Sequence, residues 1–233
     1  MTKPEEILDQ IEILFPNAQC ELHHSTPFQL LIAVVLSAQT TDAAVNKVTP
    51  ALFEKWPDAA SLQNADVKEV GETIRSIGLY PTKAKNIVGL SKKLMEEFDG
   101  EVPSTFKELQ SLPGVGRKTA NVVRSVAFDI PSFAVDTHVE RVSKRLGLAK
   151  PEDDPLKVEE KLRRKLPSAR WNQAHHDLIF FGRYFCTARN PKCAECPFAS
   201  FCRKDKLDAL KAAQKKADSE KKLAAPKVKI ETR

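Results

Sequence analysis

The chain of 233 residues is 42% hydrophobic with a formal net charge of +6, enough apolar content for one large core or two smaller ones. Its longest purely apolar run, LLIAVVL at 30–36, is too short to span a bilayer, and the acidic opening MTKPEEILDQ lacks an apolar signal region, so a cytosolic protein (nuclear in a eukaryote) is expected. Residues 203–233 hold 11 Lys/Arg against 5 Asp/Glu, the whole of the net charge, so any anion-binding surface on the balanced body must be local.

In chain order, apolar positions recur at helical spacing with Pro and Gly as punctuation. Helices are predicted over 4–15, 27–38, 41–55, 66–76, 82–98, 104–111, 116–128, 136–146, 155–166 and 171–184. TPFQLLIAVVLSAQ, residues 26–39, is apolar nearly all round, which marks a helix buried on most faces. No pair of alternating segments flanks a hairpin turn, so the fold class is all-α. So many helices around one core would be awkward; two helical lobes with a cleft between them are expected, joined across the loop FDIPSFAVD at 128–136. The basic stretch beyond residue 205, with KKADSEKK, reads as a solvated arm.

Two of the chain's eight glycines fall in SLPGVGRKTANVV, residues 111–123. The bland reading of Gly114 and Gly116 is a tight interhelical turn; the sharper one is a turn whose amides face a ligand. Four of the five cysteines, Cys186, Cys193, Cys196 and Cys202, are spaced C-x6-C-x2-C-x5-C. In a non-secreted chain that pattern indicates metal or cluster ligation rather than disulfides. Only one tight pair exists, which favours a [4Fe–4S] cluster and leaves structural zinc as the alternative. Arg189 and Lys192 lie between the ligands, so the loop could present cations. Cys20 reads as an ordinary buried thiol.

LPGVGRKTANVV (112–123), AVDTHVERV (134–142), LLIAVVLSAQTTD (30–42), IGLYPTKAKNI (77–87) and the cysteine array resemble endonuclease III, a family of DNA glycosylases in the helix-hairpin-helix superfamily. The resemblance spans roughly residues 4–205. It implies a six-helix lobe carrying the hairpin at 23–132, and a discontinuous cluster lobe at 1–22 and 133–205, with 206–233 as a basic tail. It implies a hairpin of Leu112, Gly114, Val115, Gly116 and Arg117 that grips a DNA phosphate. Lys118 matches the family's nucleophile, which attacks C1′, forms a Schiff base and leads to β-elimination 3′ to the lesion. An amine of pKa about 10.4 is neutral in roughly one molecule in a few thousand at pH 7, so desolvation or a cation such as Arg117 is expected to favour the free base.

Asp136 matches the essential carboxylate, though either it or Thr137 could cap a helix at DTHVER; a direct ion pair with Lys118 is not expected. His138 matches a histidine near the DNA. A base inside a duplex must be extruded; Gln39 matches the residue that fills the vacated space, and Leu79 an apolar wedge with Ile77 nearby. Pro81 is expected to stiffen the wedge loop. The resemblance thus implies a monomeric bifunctional DNA glycosylase and AP lyase acting on double-stranded DNA with oxidised pyrimidines or abasic sites. The rivals are a monofunctional mismatch glycosylase, which generally lacks the lysine, a non-catalytic metal-containing DNA-binding module, and an electron-transfer protein.

Overall fold

The computed structural model describes residues 3–210, 212 and 213; the predicted basic arm lies outside the described residues from 214 onward. The described chain is helical and contains no strand. In order the helices are α1 (Pro4–Leu14), α2 (Pro27–Leu36), α3 (Asp42–Lys55), α4 (Ala59–Leu62), α5 (Val67–Thr73) and α6 (Tyr80–Glu97). There follow α7 (Phe106–Ser111), α8 (Arg117–Phe128), α9 (Thr137–Arg145), α10 (Pro155–Lys165) and α11 (Trp171–Phe180).

Two hydrophobic cores form. The first gathers α2, α3, α5, α6 and α8 around Leu31, Leu36, Leu52, Ile74, Ile87 and Val123. The second joins α1 to α9, α10 and α11 around Leu8, Ile11, Phe133, Val142, Leu162 and Phe181. Helix α2 is the clearest case of sequence dictating position. Thr26 accepts from the Gln29 N–H at 3.2 Å, Pro27 occupies the first turn, and every residue of PFQLLIAVVL except Pro27 and Gln29 is buried. Each such large side chain contributes about 1.5–3 kcal/mol on burial, so the helix sits at the centre of its lobe. Loop 129–136 crosses between the cores: Phe133 packs into one and Ala134 into the other.

Most boundaries shift by one to three residues from the sequence expectation, and three departures have a clear physical cause. Helix α4 is a single turn with no room for a periodic signal, started by Asp58, whose carboxylate accepts from the Ser61 N–H at 2.8 Å. Helix α6 begins two residues early, because Leu79 adopts a left-handed conformation (φ 60°) as its N-cap. Pro81 therefore sits in the first helical turn, where a missing N–H costs nothing, and not in the wedge loop. The helix expected over 171–184 gives way after Phe180 to a π-helical turn, Phe181–Phe185, closed by Cys186 N–H donating to Phe181 O at 2.6 Å. Such turns interrupt helices where a site is shaped. Here Gly182 lets α9 approach: a Cβ would lie 3.0 Å from that of His138.

Candidate active site

Between the two cores lies a cleft of ≈ 1140 Å³. Lys118, Asp136, His138 and Gln39 all line it, together with Glu21, Asp42, Arg183 and Tyr184. A smaller recess of ≈ 50 Å³ also has Lys118 and Asp136 in its wall, together with Cys20, His175 and His176.

Lys118 sits in the first turn of α8, exposed. Among the described residues no side chain hydrogen-bonds or ion-pairs with its amine. That helix has Gly116 as its N-cap, which offers no side-chain cap, and the N–H groups of residues 116–119 find no acceptor within the described chain. A Cβ on Gly116 would meet nothing within 4 Å, so the amides open outward. These are the orphan donors of a helix start, with the positive end of its dipole behind them.

The rest of the hairpin is less available. Leu112 and Val115 are buried, and both spend their amides internally, on Leu109 O at 3.2 Å and Leu112 O at 3.1 Å. Neither side chain nor N–H of these two is free for DNA, which corrects their reading as contacts. Gly114 is required by the fold itself. Its φ of +78° is left-handed, and a Cβ would stand 3.0 Å from Asn86 Nδ2 and 3.2 Å from Val35 Cγ1. Arg117 is also reassigned. Its guanidinium donates to both oxygens of Glu159, at 2.7 and 2.8 Å, and stacks over Phe106 at 5.0 Å. Glu159, 4% exposed, belongs to α10 in the other lobe. The cation expected to act on Lys118 is compensated there, and Glu159's hold raises the Arg117 pKa.

Asp136, and not Thr137, caps α9. Its Oδ1 accepts from the His138 and Val139 N–H groups at 2.8 and 2.9 Å, and its Oδ2 accepts from His138 Nδ1 at 3.1 Å. Burial alone would raise its pKa; the His138 ring and the Val139 amide outweigh that and hold the carboxyl well below the usual range. His138 thus orients the carboxylate through its ring. No ion pair joins Asp136 to Lys118 among the described residues.

Gln39 is exposed at the end of α2 with a left-handed φ of 54°, and Leu79 is 56% exposed. Ile77 is 3% exposed and packs in the first core, so its place beside Leu79 in sequence does not put it on the surface; the turn between them reverses its direction. Cys20 is half-buried: it packs against the first core and also lines the cleft.

Sequence reasoning missed several residues around the cleft. His175 is buried, donates from Nδ1 to Ala134 O at 2.8 Å and packs on His176 with ring centroids 5.1 Å apart. Burial and the neighbouring His176 push its pKa down to about 3. Arg183 ties the lobes together by bonding Glu21 and, at 2.9 Å, Asp42 at the start of α3, while Tyr184 donates to Glu21 at 2.6 Å. The adjacent histidines were the available signal; the Arg183 partners are 141 and 162 residues away and leave no mark in local sequence.

The cysteines lie at the far end of the second lobe, on the irregular loop after the π-helical turn. Arg145, itself buried, donates to Cys186 Sγ at 3.2 Å and to the Thr187 carbonyl at 2.8 Å. Burial pushes the Cys196 and Cys202 thiols up, and the other cysteines of the array push the same way. The cysteines of the array therefore lie near enough to influence one another, while among the described residues no three His, Cys, Asp or Glu side chains gather as closely as ligands of a single ion. Four thiolates on one irregular loop are the donor set a cube of iron and sulfide takes. Arg189 and Lys192 are exposed on this loop, and Lys192 lies over the Phe185 ring at 5.9 Å.

Comparison with known proteins places these features in a family. Residues 32–168 match the model of the HhH-GPD superfamily base excision DNA repair proteins, and residues 186–202 match the iron-sulfur binding domain of endonuclease III. Endonuclease III of Bacillus subtilis is 57% identical over 199 residues, covering 85% of this chain and 91% of that protein. The Escherichia coli K12 enzyme is 45% identical over 204 residues, covering 87% and 96%. Among solved structures, a trapped endonuclease III–DNA covalent intermediate superposes with a TM-score of 0.85 at 52% identity, covering 90% of this chain and all of that one. The chain belongs to the endonuclease III family of iron–sulfur, helix-hairpin-helix DNA glycosylases and AP lyases.

Proposed function

We propose that this protein excises oxidised pyrimidines from double-stranded DNA and cleaves the strand through Lys118. The observation that carries the reading is the placement of Lys118, exposed and without a side-chain partner, in one cleft with the internally fixed carboxylate of Asp136. The open amides of residues 116–119 bind a backbone phosphate beside the target nucleotide, and Gln39 and Leu79 occupy the duplex as the nucleotide is extruded.

In the chemical step the free amine of Lys118 attacks C1′ as the glycosidic bond breaks, and the base departs with the bonding pair. Asp136, anionic across the working pH range, stabilises the positive charge that develops on the sugar. The ring opens to an imine between C1′ and Nζ. Loss of a C2′ proton then expels the 3′ phosphate with its electron pair, which is β-elimination. Cys186, Cys193, Cys196 and Cys202 would hold a [4Fe–4S] cluster, which would fix the fold of the loop bearing Arg189 and Lys192, whose cations add to DNA affinity. His138 keeps the Asp136 carboxylate in place. We assign residues 23–132 to the hairpin lobe and residues 1–22 with 133–205 to the cluster lobe, the protein acting in the cytoplasm as a monomer. Among the described residues no helix is long and apolar enough to cross a membrane.

Support comes from a 52% identical neighbour that is itself a trapped covalent intermediate with DNA. Borohydride reduction in the presence of abasic or thymine-glycol DNA should link protein to DNA covalently, and Lys118→Ala should not be trapped. Continued trapping of that variant would remove Lys118 from its role.

A further inference from the structure

Among the described residues four non-glycine positions have positive φ: Gln39, Leu79, Asp99 and Asp129. Aspartate tolerates this conformation. Leucine and glutamine at such positions store strain, which persists only where neighbours over-determine it. Lys83 stands in the first turns of α6, where its main-chain N–H donates to Leu79 O at 3.0 Å in the ordinary helical bond. Its side chain supplies the link to the Gln39 turn. Its ammonium donates to Thr40 Oγ1 at 2.6 Å. The Thr40 hydroxyl in turn donates to Ala38 O at 3.4 Å, so Gln39 is held from both sides.

Lys83 is 4% exposed, although lysine is almost never buried without a compensating partner. Burial lowers its pKa, and a methionine of similar length would fill the same space without that penalty. Packing alone does not account for a lysine here. It is also too enclosed to reach a phosphate.

We propose that Lys83 is a positioning residue that locks Gln39 and Leu79 into one rigid unit, so that the plug and the wedge enter the duplex together and extrusion of the damaged nucleotide becomes favourable. The inference rests on the roles proposed above for Gln39 and Leu79. Lys83 itself touches neither the lesion nor the reacting atoms; it acts through the two loops it joins.

The test separates extrusion from chemistry. Lys83→Met is compared with wild type in single-turnover excision of thymine glycol from a duplex, and in β-elimination on a single-stranded abasic oligonucleotide, where nothing has to be extruded. Duplex excision should fall about tenfold, while the single-strand reaction stays within about twofold. A 2-aminopurine placed next to the lesion should lose its fluorescence rise on binding. Thr40→Val, which removes the acceptor from the other side, should reproduce the effect, and Thr40→Ser should restore the wild-type ratio. Equal losses on duplex and single strand, or undiminished fluorescence in both Lys83→Met and Thr40→Val, would overturn the proposal. Failure of the wild-type protein to react with the abasic oligonucleotide would instead sink the function proposed above.

Discussion

Helices α8 and α9 both begin at the wall of the cleft, and they treat their first amides in opposite ways. At α8 a glycine N-cap leaves four N–H groups without acceptors among the described residues, and a Cβ built on that glycine would meet nothing within 4 Å. At α9 the Asp136 side chain takes up two N–H groups and then the His138 ring. One start is open to an external anion and brings Lys118 with it; the other is closed on itself and holds a carboxylate still. The orphan donors of a helix start are thus left open in one lobe and used to fix a carboxylate in the other. The lesson is that an absent cap carries as much function as a present one.

The contrast breaks most severely at Asp136. Asparagine caps as well as aspartate, so Asp136→Asn should keep the helix start, at a cost of about 1–3 kcal/mol in unfolding from the lost charge-assisted bonds to His138 and the Val139 amide. It removes the charge, and base excision should fall about 10²–10⁴-fold. An active but unstable Asp136→Asn would mean that capping was the whole of its role.

The clasp that aims α8 comes next. Glu159→Ala leaves Arg117 without its bidentate partner and should cost about 1–3 kcal/mol in urea unfolding, less than a fully buried pair because Arg117 is 43% exposed. A neutral result would show that α8 is set by its apolar face alone.

The recess behind Lys118 gives a pH signature. His175 is buried neutral with its pKa pushed down to about 3, and His176 to about 4. A group with a depressed folded pKa contributes stability that is fully present above its unfolded value, about 6.5, and lost as pH falls toward the folded one. The urea midpoint should therefore drop between about pH 6.5 and pH 4, and His175→Gln should flatten that slope. An unchanged slope would mean that His175 is protonated in the folded protein.

The smallest effect on stability and the cleanest on binding is expected at Gly116. Its φ of −91° suits any residue and a Cβ meets open space. Gly116→Ser would close the open helix start, adding a few tenths of a kcal/mol to stability while weakening DNA binding about tenfold. The salt slope of binding should stay the same, since no charge is removed. Gly114→Ala, by contrast, should destabilise by about 1–2 kcal/mol, because left-handed backbone and close contact with Asn86 both oppose it.

Much of this was legible in the sequence. Helical periodicity found every long helix because each buries a contiguous apolar face, and TPFQLLIAVVLSAQ could only be central. Lys118, Asp136 and the cysteines stood in motifs local enough to read. What escaped depends on distance in sequence or on direction within a turn. Nothing near Arg117 announces Glu159, 42 residues away, and nothing near Gln39 announces Lys83, whose bond to Thr40 spans 43 residues. Ile77 and Leu79 are two residues apart in an apolar stretch, yet one is core and one is surface, because a left-handed residue rather than hydrophobicity decides it. Leu112 and Val115 lie inside the motif, but their side chains pack the hairpin and their amides close it.

The central claim is that the amine at residue 118 forms the bond to DNA. Borohydride-reduced protein–DNA complex, digested and sequenced by tandem mass spectrometry, locates that bond directly. The reduced deoxyribose adduct should lie on Lys118 alone; an adduct on any other lysine, with Lys118 recovered unmodified, would contradict the account.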